Sequence, residues 1–139
     1  MIRAGDVLLP ELLRGGGARV CAARVADDRD AGTPLGRQTI LLRPDQSRLD
    51  PWFLAGFLGA AENVTAAATG SSVVRLDPRR LRVPLLPLAE QRRYGQAFRR
   101  LYELRAAAEQ AGRLAEEAAR TLGAGLTGGA LLPPDPDAS

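Results

Sequence analysis

Eight arginines stand between Ser71 and Arg100: Arg75, Arg79, Arg80, Arg82, Arg92, Arg93, Arg99 and Arg100. Only Asp77 and Glu90 oppose them, so the stretch carries a net +6. Guanidinium groups grip phosphate oxygens through paired hydrogen bonds and stay charged at any physiological pH. A run of this sign and density is the electrostatic footprint expected of a nucleic-acid surface. The first four, with Gly70 and Ser71 just ahead of them, are the candidate DNA contacts. The arginines suit phosphates and base edges, and the small residues allow close approach of backbone. The same run also fits a solvated surface set by composition, because all 19 basic residues of the chain are Arg.

Other chemistry is thinly supplied. The chain has no His and no Lys, which removes the usual general base and the phosphate-loop lysine. One cysteine, Cys21, and no histidine leave no zinc-ligand set, so no metal and no cofactor are expected. Cys21 cannot form an internal disulfide, which fits a reducing cytoplasm, and it reads as a small buried residue. Gly15-Gly16-Gly17 is a flexible loop without the Gly-Lys-Ser/Thr of a phosphate loop. No Asn-Pro-Pro-aromatic motif for adenine methylation and no nuclease carboxylate–lysine cluster occurs. No apolar run is long enough to span a membrane.

The elements that must position the arginines are short, except one. Val7 to Leu9, Ala18 to Val25, Gln38 to Leu42 and Val73 to Leu76 read as strands. Asp50-Pro51 opens a short helix reaching to about Glu62, with Asp50 as N-cap and Phe53, Leu54, Phe57 and Leu58 on one face. Trp52 beside them reads as a core or edge residue. Thr65 to Gly70 looks mobile, and Asp77-Pro78-Arg79-Arg80 is a turn. The fold class is therefore α+β: a small mixed sheet over residues 1–86, then one long coiled-coil helix over 87–125. Residues 126–139 form a loop-back and a Pro- and Asp-rich tail expected to be disordered.

The helix rests on a count. Tyr94, Ala97, Leu101, Leu104, Ala108, Ala111, Ala115, Ala118 and Leu122 recur at alternating steps of three and four, a heptad seam. Gly123 and Gly125 are expected to end the helix, and Gly95 and Gly112 are its weak points. Some 34 residues give a rod of roughly 50 Å. Its seam is too long for the small remainder of the chain to cover, so another helix is expected.

Several of these passages, taken together, resemble the specificity subunit of type I restriction–modification systems. They are Gly5-Asp6-Val7-Leu8, Leu42-Arg43-Pro44 through Asp50-Pro51-Trp52-Phe53-Leu54, Gly70-Ser71, Pro87-Leu88-Ala89-Glu90-Gln91-Arg92-Arg93 and Gly128-Gly129-Ala130-Leu131. The resemblance runs from Gly5 to about Leu131. It implies a target-recognition domain that reads double-stranded DNA and a conserved helix that docks DNA methyltransferase subunits. It also implies antiparallel pairing of that helix with a second one. Family members carry several strands ahead of Gly-Asp-Val-Leu. The chain thus corresponds to the later part of one recognition domain plus one spacer helix: a half-subunit, a shortened product, or a piece that works with a partner.

Two functions follow, neither of them enzymatic. One is a DNA-reading specificity component; the other is a coiled-coil docking module with no DNA binding of its own. In either, the helix pairs with itself or with a second specificity chain. Its first half, Ala89 to Leu104, is basic, and its second half, Arg105 to Gly123, is balanced. Antiparallel pairing avoids setting the basic ends together and places Tyr94, Leu101 and Leu104 opposite Ala118, Ala115 and Ala111, large against small.

Overall fold

A computed structural model describes residues 1–13, 23–70 and 74–137. The expectations for Cys21, Gly15 to Gly17, Ser71 and most of the Ala18–Val25 strand lie outside the described residues. The chain divides into two compact units, Met1–Arg100 and Leu101–Ser139.

The first unit is built around Val7, Leu8 and Leu9. Strand β1 (Val7–Pro10) lies between β3 (Arg24–Val25) and β4 (Thr39–Leu42), antiparallel to both, with Val7 opposite Val25 and Leu42. All three apolar residues of β1 are buried because both faces of its sheet are covered. Val7 and Leu9 join Leu54, Ala55, Leu58, Val64, Ala67 and Leu76 in the main core, while Leu8 joins Ile2 and Ala26 on the opposite side. A second antiparallel sheet sets β6 (Val74–Leu76) between β2 (Leu12–Leu13) and β5 (Ala68–Thr69). Glu11 links the two sheets: its N–H donates to Gln38 O (2.7 Å) and its carbonyl accepts from Leu76 N (2.9 Å). The α+β class is as expected, and its strands form these two antiparallel sheets.

Helix α1 (Pro51–Leu58) starts as its sequence dictates. Asp50 Oδ1 accepts from Phe53 N at 2.9 Å, and Pro51 takes the first turn, where no N–H is needed. It stops at Gly59, and a separate helix α2 (Ala61–Ala67) follows, running directly into β5. The mobile segment expected from Thr65 is instead the end of α2 and then a strand. Val64 and Ala67 are fully buried one turn apart, which holds this alanine-rich piece on the core. Asp77 caps the 3₁₀ turn Pro78–Arg80, its Oδ1 accepting from Arg79 N at 3.0 Å.

The long helix α3 spans Leu88–Thr127. It passes Gly123 and Gly125, because a glycine costs a helix interior only about 1 kcal/mol and a stronger stop lies ahead. That stop is Gly128-Gly129, with Gly129 at φ +79°. Gly128 N donates to Ala124 O (2.9 Å) and Leu131 N to Gly125 O (2.9 Å), satisfying the last carbonyls. Leu131, the first residue of the tail expected to be disordered, folds its side chain over Gly125.

Candidate nucleic-acid interface

The sequence-predicted arginines all reach the surface of the first unit, on differently anchored backbone. Arg75 lies on β6, paired in register with Leu12 and Thr69, and its guanidinium meets Glu11 at 3.5 Å. Arg79 and Arg80 sit on the 3₁₀ turn, with Arg80 3.8 Å from Asp77. Arg82 follows in an extended segment. Gly70, at φ +99°, takes the left-handed turn out of β5 that a side chain would resist. Among the described residues Arg79 and Arg82 form no salt bridge, so their charges are not spent inside the fold.

Arg82 is held by a residue that sequence reading passed over. Asn63, on α2, accepts from Arg82 N through Oδ1 (2.8 Å) and donates to Arg82 O through Nδ2 (2.6 Å). The same amide donates to Phe57 O (3.0 Å). A side-chain amide thus imitates a neighbouring strand, fixing the backbone that presents Arg82 beside a shallow depression of about 270 Å³ lined by Phe57, Glu62, Asn63 and Ala66. No local signal marks Asn63, since its partner is 19 residues away.

A second polar fastening holds the start of α3. Gln91 is buried, and its Oε1 accepts from Asp50 N (2.9 Å). Its Nε2 donates to Leu86 O (2.9 Å) and to Arg48 O (3.3 Å). One turn on, Gly95 is also buried, and a Cβ there would collide with the Asp50 carboxylate and crowd Phe53 N. Gly56 on α1 answers it, because a Cβ at that position would run into the Phe98 ring. Each helix therefore supplies a glycine where the other brings a side chain. Phe53, Phe57, Tyr94 and Phe98 fill the adjoining space, with ring centroids of successive neighbours 4.9 to 6.3 Å apart. Arg99 lies over Trp52, 5.6 Å from its ring centroid.

Tyr94 therefore differs from the other seam residues in having aromatic partners in its own chain. Leu101, Leu104 and Leu122 are 60%, 67% and 56% exposed, and Ala97, Ala108, Ala111, Ala115 and Ala118 are exposed as well.

Two carboxylates stabilise the loops around the first sheet. Buried Asp6 accepts from Arg43 Nε and Nη2, both at 2.7 Å, and from Arg3 N at 2.7 Å. The hydrogen bonds from Arg43 hold its carboxyl below the ordinary aspartate range. Asp30 is bound by both Nη atoms of Arg24 at 2.8 Å and is likewise held far below that range. Both are accounted for as structural pairs.

Among the described residues no group of three or more His, Cys, Asp or Glu could hold a metal ion, and no helix is long and apolar enough to cross a membrane. No protein family, curated protein or solved structure was found to match the chain.

Proposed function

We propose that this chain is a DNA-specificity component of a type I restriction–modification assembly, working in the cytoplasm. Its first unit reads duplex DNA. Helix α3 docks DNA methyltransferase subunits and pairs along its seam with a second specificity chain or another copy. It has no catalytic role of its own.

The observation that carries this reading is the rigid presentation of Arg82, pinned through both backbone groups by Asn63 and next to Arg79 and Arg80 on a capped turn. A solvated arginine needs no such support, whereas a phosphate contact gains from a fixed backbone. Further support comes from the passage that carries the resemblance most specifically, Pro87-Leu88-Ala89-Glu90-Gln91, whose Gln91 side chain accepts from Asp50 N in another passage of the resemblance.

Replacing Arg79, Arg80 and Arg82 together by Ala tests it. Duplex binding should weaken, and the slope of log K against log salt should fall by about one for each phosphate contact removed. Parental binding by the triple variant would overturn the DNA reading. The exposed leucines of α3 favour the second reading, a docking module without DNA binding, which no duplex binding by the parent would support.

A further inference from the structure

Between the 3₁₀ turn and α3 the chain runs through residues 81–87, which belong to no helix and, among the described residues, pair with no strand. The segment is nevertheless fixed at both ends. Leu81 and Val83 pack on the main core, and Asn63 grips Arg82 through both backbone groups. At the other end Leu86 O accepts from Gln91 Nε2 at 2.9 Å, and Pro87 O accepts from Gln91 N at 3.0 Å. Pro84 and Pro87 fix their own φ and hold Val83 and Leu86 extended. Between these supports stands Leu85, 100% exposed, the most exposed large apolar side chain among the described residues.

A singly exposed leucine is ordinary on a protein surface. Leu85 differs because its backbone is immobilised while its side chain is left wholly in water. A segment ordered in advance loses little further freedom on binding, so the side chain it presents is already placed for contact. The surrounding charge says what the contact is. Arg79, Arg80 and Arg82 precede Leu85, Arg92 and Arg93 follow it, and Glu90 is the only acid between Pro78 and Arg100. A protein pocket for leucine would have to accept that cationic rim. A nucleic acid offers phosphates to the arginines and, between them, the apolar faces of its bases. A single extended segment is narrow enough for the minor groove, about 6 Å wide, which a helix cannot enter. Arg82 lies at most about 10 Å back along the backbone, about three base steps away, so it can hold the phosphate flank of the groove while Leu85 reaches its floor.

We infer that Leu85 is an apolar wedge that enters the minor groove of duplex DNA and opens a base step there, kinking the duplex. This rests on the DNA reading proposed above and deepens it. It gives a sequence preference to a residue with no hydrogen-bonding group. Pyrimidine–purine steps (TA, CA/TG) unstack most easily, so the wedge selects them through the energy of deformation rather than through base edges.

The test uses the full chain, Leu85→Ala, and Leu85→Met as the conservative variant. Because the side chain is wholly exposed, both variants should melt like the parent. Duplexes are selected by the parent from a randomised pool, and their bend is read by energy transfer between dyes at the two ends. The parent should bend them by about 20–90°, and the selected sequences should share a pyrimidine–purine step. Leu85→Ala should lose the bend and the step preference and bind more weakly. Its salt slope should stay unchanged, because no phosphate contact is removed. Leu85→Met should keep the bend and the preference. An unchanged bend with Leu85→Ala overturns the inference. So does a parent that binds with a salt slope yet leaves the duplex straight, and the DNA reading then stands alone. Absence of duplex binding by the parent sinks both. Loss of self-association in Leu85→Ala, with the bend intact, means that the segment faces protein and likewise overturns the wedge.

Discussion

Along α3, Gln91 and Gly95 are buried, whereas every residue from Leu101 to Leu122 is exposed. The two parts of the helix also differ in kind. The first three turns carry an amide with three hydrogen-bond partners, a glycine cut to the shape of Asp50 and an aromatic ring seated on Gly56. The later part carries leucines and alanines at heptad spacing, with no such individual fits. Specific polar and steric locks serve a contact that forms once, during folding of one domain. A regular apolar seam serves a contact with another helix, where register must be found by size and charge. Heptad spacing runs through both parts without a break, so periodicity alone does not reveal where the helix finds partners at home.

The strongest way to break this contrast is at Gly95. Gly95→Leu drives a side chain into Asp50 and Phe53 and should cost about 3 kcal/mol or more, read as a large drop in the melting temperature of the first unit. Gln91→Ala strips partners from Asp50 N and Leu86 O and should cost about 2 kcal/mol by denaturant unfolding. Asp6→Asn removes a buried, doubly bonded carboxylate and should cost about 1–2 kcal/mol, less than a fully buried pair because Arg43 is partly exposed. The folded Asp6 carboxyl is held below the ordinary value of 3.8, so its stabilisation is present above that pH and lost as pH falls through the lowered value. A pH series should therefore show the gap between parent and Asp6→Asn closing on the acid side. The smallest expected effect has the opposite sign. Gly112→Ala meets nothing within 4 Å and should stabilise the helix by about 0.5–1 kcal/mol in circular dichroism melts. Equal destabilisation by Gly95→Ala and Gly112→Ala would erase the distinction between the two parts.

Local signals were legible where they act locally. Asp50-Pro51 announced the start of α1, and the apolar residues of β1 and the start of α3 were readable from pattern. Helix α2 was missed because Ala, Thr and Asn carry little periodicity, and only burial of Val64 and Ala67 reveals it. The end of α3 was placed too early because the stop at Gly128-Gly129 depends on Leu131 folding back. Of the candidate site, the arginines were visible as charge, but their supports were not. Asn63 grips Arg82 19 residues on and Gln91 grips Asp50 41 residues back, and apart from the place of Gln91 in the Pro87–Arg93 passage nothing nearby distinguishes them from surface amides. Gly95 did leave a trace: a glycine inside a stretch of good helix formers asks for a steric reason, and the Asp50 carboxylate supplies it.

The central claim is that the exposed face of α3 serves association while the first unit stands on its own locks. Light-scattering mass and thermal melting of the parent and of Leu101→Asp with Leu104→Asp, measured side by side at micromolar concentration, test it most directly. The account predicts a parent of twice the 14.8 kDa chain mass and a double variant at the single-chain mass. The transition of the first unit should persist in both. An unchanged mass, or loss of that transition in the variant, would contradict it.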